Sequence, residues 1–277
     1  ELQDDAAGHD FGTVQRLRAL GNWGRFNRWT HDGVSSRLRN GVVFEQVKGF
    51  PGDVRLLQWD VWLNGPSIAW EDDGSRRLTD LASGLSDKTF DDFDELFRQL
   101  AARGLGMAPV LFDASWFSEP QFVDGAQVGG HDEAFVDPAK RRRLIARVII
   151  PLLRRYGTRS RVVVWNLFNF DQPERLLARI ASLLQAKPGL AHGLSGTPRE
   201  QAAQVLEAIV RELAQAVHDT ARQPVFAGAA DLEQMLDLAV LRDHDGRPTV
   251  DVLAFNHFEH ALPPSAGFVR AQLRQRL

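Results

Sequence analysis

From about residue 50 the chain alternates short apolar, β-branched runs with longer stretches in which apolar residues recur every three or four positions. That alternation predicts βα units, and strands that are apolar throughout predict a parallel sheet covered on both faces. The runs Val54–Leu63, Met107–Asp113, Arg161–Phe168, Val225–Ala229 and Val250–Phe258 read as strands. Gly41–Val47, after a turn at Arg39-Asn40-Gly41, is a candidate first strand, and the rest of residues 1–48 gives no assignable pattern.

Helix signals fall between the strands. Thr89 caps a helix whose Phe93, Leu96, Phe97 and Leu100 share one face and which ends at Gly104. Asp137-Pro138 opens a second, running to Tyr156 before Gly157, and Pro151 inside it predicts a kink or an end one turn early. Thr197-Pro198-Arg199-Glu200 has capping-box spacing ahead of a helix with Leu206, Ile209, Val210, Leu213 and Val217 as its buried stripe. Further helices are predicted at Asp231–Leu241 and Ala266–Leu277, whereas Asn64–Asp87, Ala114–Val136 and Asn169–Glu174 read as long loops.

A parallel sheet of this kind is either an open doubly wound sheet or a closed barrel. No Gly-x-Gly-x-x-Gly follows a strand and no phosphate-binding loop of Walker type occurs. The long loops after strand ends are rich in Trp, Phe, Asp and Asn, as expected where a barrel builds its site. The expected fold is therefore an α/β, (β/α)8 TIM-barrel-like domain spanning residues 1–277, incomplete in that about six βα units are recognisable.

Composition narrows the chemistry. With 277 residues, 44% of them hydrophobic, the chain buries a large core, and the absence of cysteine removes thiolate nucleophiles, disulfides and Cys-ligated metals. A formal charge of -3 gives no global attraction to nucleic acid, and no apolar run approaches a membrane span. The start, Glu1–Asp10, has neither an initiator Met nor a signal-peptide pattern and reads as trimmed or processed. His257-Phe258-Glu259-His260 offers metal-ligand residue types, but strand alternation sends the two imidazoles to different sides; Asp243-His244-Asp245-Gly246 lacks the glutamate that closes a calcium loop and reads as a surface turn. No metal and no cofactor is expected.

The stretches DDFDELFRQLAARGLGMAPVLFD (Asp91–Asp113), DPAKRRRLIARVIIPLLRRYGTRSRVVVWNLFN (Asp137–Asn169) and VDVLAFNHF (Val250–Phe258) resemble strands 3, 4 and 6, the first two with their preceding helices, of clan A glycoside hydrolases, the cellulase and mannanase relatives of family 5. That resemblance implies a retaining glycosidase in which one carboxyl protonates the leaving oxygen and another, about 5 Å away, attacks the anomeric carbon. It also implies an oligo- or polysaccharide partner and favours a secreted or periplasmic setting. In the family's W-[DE]-L-x-N-E-P motif, Trp165, Leu167 and Asn169 match, Asn166 replaces the acid, and Phe170 stands at the acid/base glutamate. Arg55 matches the strand-2 arginine; Asn256 and Phe258 stand at the family's His-x-Tyr pair with His257 between them, and no segment resembles strand 7, which carries the nucleophile.

The expectation is thus a glycosidase-like barrel, catalytically impaired, that binds saccharide or scaffolds polysaccharide handling. Its saccharide-binding candidates are Arg55, Asp113, Trp116, Trp165, Asn169, Asn256 and His257. Trp59, Trp62 and Trp70 cluster with Trp116 on or just after two strand ends, where an aromatic face could stack a sugar ring. The alternative is an active enzyme on β-linked glucan or mannan with Asp171 as acid/base, Glu174, Glu119 and Glu259 being ordinary acids or weaker candidates. A barrel short of its last strands would leave two strand edges unpaired and favour self-association.

Overall fold

The computed structural model describes the chain between residues 56 and 255 apart from 61–67, 75–77, 86, 103, 105, 118, 124–125, 160, 170–172, 230–236 and 239. Candidate elements at Gly41–Val47 and Ala266–Leu277, and most of Asp231–Leu241, lie outside the described residues. Within them the strands are β1 (Leu56–Asp60), β2 (Ile68–Asp72), β3 (Leu78–Leu85), β4 (Gly106–Asp113), β5 (Gln121–Val123), β6 (Ala126–Val128), β7 (Trp165–Asn169), β8 (Val225–Ala229) and β9 (Val252–Phe255). The helices are α1 (Asp87–Ala102), α2 (Asp132–Val136), α3 (Pro138–Leu144), α4 (Ile150–Tyr156), α5 (Pro173–Ala186) and α6 (Pro198–Thr220).

Five strands form one sheet in the order β1-β4-β7-β8-β9, and every neighbouring pair is parallel. Spatial order equals chain order. A doubly wound sheet reverses direction at a switch point, whereas a barrel adds each strand beside the last, so the fold is (β/α)-barrel-like with the five strands as a continuous arc. All five come from the runs read as strands in the sequence. Their core positions are shielded on both sides: Met107, Leu111 and Phe112 of β4, Leu167 and Phe168 of β7, and Phe226 and Ala227 of β8 are buried.

The helices show local sequence logic with two departures. Asp137 caps α3, accepting from the amides of Ala139 and Lys140 with Pro138 in the first turn. Thr197 and Glu200 form the reciprocal capping box of α6, which buries Ile209, Val210, Leu213 and Val217, while Leu206 is only partly covered. The first departure is that α1 begins at Asp87, so Thr89 lies within its first turn and is buried. The second concerns Pro151. Rather than ending the helix early, the chain widens into a π-turn at Ile145–Ile149, where the Ile150 amide reaches back to the carbonyl of Ile145. The extra residue makes room for a proline ring that would otherwise meet the carbonyl of Arg147, and helical structure continues to Tyr156.

The two longest of the segments read as loops contain structure. Residues 64–87 hold the antiparallel pair β2–β3, with Gly74 at φ +85° donating to the Asp72 carboxylate in the turn. Residues 114–136 hold a 3-10 turn at Ala114–Phe117, the β5–β6 pair and α2. A charged bolt ties α3 to α6: buried Arg141 meets Glu212 through Nε (3.0 Å) and Nη2 (2.7 Å) and donates Nη1 to the carbonyl of Phe135.

The end of α4 presses on the end of α6. A Cβ on Gly157 would collide with the Leu153 carbonyl oxygen and stand 2.9 Å from the Ala221 methyl. Gly157→Ala is expected to cost about 1–3 kcal/mol, as overpacked contacts do, and Thr197→Ala about 1 kcal/mol through the lost cap. Calorimetric melts of the two variants beside the unaltered chain check both values.

Candidate functional site

Parallel strands present their C-terminal ends along one rim. The registers set Asp113 of β4 opposite Asn169 of β7, Asn169 opposite Gly228 of β8, and Ala229 opposite Phe255 of β9. One irregularity marks this rim. Against β4 the register of β7 is regular, but against β8 it gains a residue between Asn166 and Asn169, a bulge in β7 immediately before the rim. Asn166 is fully buried there, and its Oδ1 accepts the Phe168 amide at 3.2 Å. The position where the family motif has an acid thus carries a short amide that bonds the bulged backbone.

The backbones of Asp113 and Asn169 are on the rim by this register. Phe170 and Asp171 after β7, Asn256 and His257 after β9, and Arg55 before β1 lie outside the described residues, as do Trp62, Glu259 and His260. Trp165 stands at the start of β7, away from the rim; its ring is 0% exposed and its Nε1 donates to Gln223. Trp116 is 2% exposed. Both rings are core in this structure, with no face open to stack a sugar.

A second cluster grows from the loops that follow β1 and β4, on the rim side. Trp70 of β2 is only partly buried and stacks on the His131 ring, with centroids 4.4 Å apart and planes 10° from parallel. Trp116 meets both edge-on, at 5.9 and 5.6 Å. Two register shifts flank Trp70 in the β2–β3 pair, and such bulges re-aim side chains. Asp80 of β3 holds a left-handed backbone, φ +57°, and its carboxylate lies 3.0 Å from His131 Nδ1. His131 Nε2 and Asp132 Oδ1 are buried without a hydrogen-bond partner. Sequence reasoning found Trp70 but not Asp80, His131 or Asp132, because the Asp80–His131 pair spans 51 positions between two segments read as loops.

Electrostatics sharpens this cluster. Burial pushes the Asp132 carboxyl above its ordinary value, and the hydrogen bond and charge of Arg179, whose Nε is 2.9 Å from Oδ2, only partly oppose that. Arg179 also pairs with Glu119, and Glu174, in the first turn of α5, pairs with Arg199. The Asp243–Gly246 turn wraps around a buried Asp243, which accepts the amides of Asp245 and Arg247. Among the described residues no group of three His, Asp or Glu side chains converges to hold a metal ion, and no helix is long and apolar enough to cross a membrane.

No family model matches the sequence, and no curated protein matches it significantly. Similar solved structures include a beta-1,4-D-mannanase from Cryptopygus antarcticus, at 14% identity over 83% of this chain and 58% of the other, with a TM-score of 0.48. A beta-1,4-mannanase from the sea hare Aplysia kurodai gives 15% identity over 79% and 63%, with a TM-score of 0.49. A beta-glycosidase from the hyperthermophile Thermosphaera aggregans gives 11% over 72% and 44%, with a TM-score of 0.37. The chain spans a little under two thirds of the mannanases it matches. Its barrel-like fold is assigned from the strand order.

Because the folded state raises the Asp132 pKa, it binds that proton more tightly than the unfolded chain, and stability grows as the pH falls through the folded titration. Asp132→Asn, neutral at every pH, is expected to raise the Tm at pH 7. The gain should shrink to nothing in acid, where Asp132 is itself protonated; melts of both proteins from pH 3 to 8 check this.

Proposed function

We propose that the rim at the C-terminal ends of the strands binds an oligosaccharide of the β-linked glucan or mannan class, and that hydrolysis is impaired. The bulge in β7 carries this reading, because it sets Asn169 level with both Asp113 and Gly228 at the one rim where a barrel assembles its site. Asn169 is the amide-bearing candidate at this rim, and the next residue is Phe170, whose phenyl ring can neither give nor take the proton that glycosidic cleavage requires. Trp70 is the aromatic platform that fits best: the residue is only partly buried and its ring stacks on His131, whereas buried Trp116 meets it edge-on. Arg55, Asp113, Asn256 and His257 remain the further polar candidates that the sequence offers.

Isothermal titration with cellohexaose and mannohexaose tests the reading, beside reducing-sugar assays on the matching polysaccharides. Binding without turnover is expected. Asn169→Ala should weaken binding about tenfold, the worth of one well-made hydrogen bond, and Asp171→Asn should leave it unchanged. Turnover that disappears in Asp171→Asn while binding persists would replace this proposal with an active glycosidase using Asp171 as its acid. Among the described residues β1 and β9 are the outer strands of the sheet, and self-association through strand edges is proposed as the barrel's partner contact. Size-exclusion chromatography yielding a monomer at all concentrations would overturn that last point.

A further inference from the structure

At the opposite end of the strands from the rim, one histidine stands between two carboxylates. His218, in the last turn of α6, has a side chain 11% exposed; its Nδ1 is 3.3 Å from Asp243 Oδ2 and its Nε2 is 3.2 Å from Asp251 Oδ2. A neutral imidazole carries one N–H and one lone pair, so it can satisfy only one of these oxygens and turns its lone pair on the other. The imidazolium donates to both. Because the two ring nitrogens point in opposite directions, the carboxylates cannot converge with them on a single metal ion.

Each carboxylate is fastened to a different part of the chain. Asp243, whose side chain is fully buried, takes the Asp245 and Arg247 amides on Oδ1 and Arg247 Nε on Oδ2, which holds the turn before β9. Asp251 Oδ2 takes the Val225 amide at 2.8 Å, while the Asp251 amide donates to the Val225 carbonyl, which holds β8 and β9 at their starts. We propose that His218 is a pH-operated clasp: as the imidazolium it binds the end of α6 to the starts of β8 and β9, and on losing its proton it releases one of them.

The charges around it allow this. Asp243 and Asp251 favour the cation, as do Asp219 on α6 and Asp245 in the turn, although Gln215 and Arg247 engage those two. Arg247 is the opposing cation; Arg211 is turned to the carbonyl of Arg242, and His244 is exposed. The hydrogen bond to Asp251 raises the imidazole's pKa against the cost of burial, with the Asp251 charge and Asp243 adding to it and Arg247 opposing. A raised folded pKa gives stability that is fully present below the unfolded value, near 6.5, and is lost as the pH climbs through the folded value. The clasp is therefore closed in mildly acidic surroundings and loosens on the alkaline side.

NMR titration of the His218 ring protons in the full chain, with amide hydrogen exchange followed from pH 5.5 to 9, tests it. The expected results are a His218 midpoint above 6.5 and an opening equilibrium at Val225 and Asp251 that grows by up to about tenfold per pH unit between the unfolded and folded midpoints. In Asp251→Asn, which keeps an acceptor for Val225, the midpoint should drop and the pH dependence should shrink. A midpoint at or below the ordinary histidine value, or equal pH dependence in His218→Gln and the unaltered chain, would overturn the proposal.

Discussion

Parallel pairing in chain order is the constraint from which the rest of the structure follows. Each of the five sheet strands, β1, β4, β7, β8 and β9, must return its chain the full length of the sheet before the next can lie beside it, so helices and loops have to be spent on every connection. The connection from β7 to β8 spends α5 and α6, and that from β4 to β7 spends a hairpin and the α2–α4 run. The same constraint collects all C-terminal ends on one rim, and Asp113, Asn169 and Gly228 become neighbours although they are more than fifty positions apart. Chemistry that needs polar groups from several segments is brought together by the sheet's direction alone.

Charged side chains fix how the connections sit on the sheet. From the start of α2 and from α3 three basic or ionisable groups grip β3: His131, just before α2, on the Asp80 carboxylate, Lys140 on the carbonyl of Thr79 and Arg143 on the carbonyl of Ala82. Lys140 and Arg143 complete their bonding on Glu133 and Glu71. Half-buried pairs like these gain little net energy over apolar contacts, but an unmatched partner is costly, so they favour one placement of the hairpin over others. The strained Asp80 backbone is held by that over-determination.

The parts legible in the sequence are those governed by local physics. Buried β-branched strands, the Asp137 and Thr197 caps and the apolar stripes of α1 and α6 state their roles within a few residues. Hairpin β5–β6 announced itself only by Asp124-Gly125 between two three-residue runs, too short for an alternation to emerge. β2–β3 was hidden because its two bulges break the period-two pattern on which strand recognition rests. The widening at Ile145–Ile149 has no signature beyond Pro151, which gave the place of the irregularity but not its kind. At the rim, the motif around Trp165–Asn169 was readable, yet its first residue proved to be core, because Trp165 opens the strand and only the residues at its other end reach the rim.

The two ends of the sheet divide their polar residues by purpose. At the starts of the strands, both carboxylate oxygens of Asp243 and Oδ2 of Asp251 are taken by backbone amides, Arg247 and His218, an arrangement that consumes hydrogen-bonding capacity to hold the fold. On the segment beyond the end of β4, His131 Nε2 and Asp132 Oδ1 are left as buried polar atoms without a partner beside stacked rings. Such groups weaken a fold unless something else requires them. The asymmetry matches the barrel rule that the starts of the strands carry stability and their ends carry the site. It also separates the two histidines by geometry: His218 has a carboxylate at each ring nitrogen, whereas His131 has one, Asp80 at Nδ1, and a buried Nε2 without a partner.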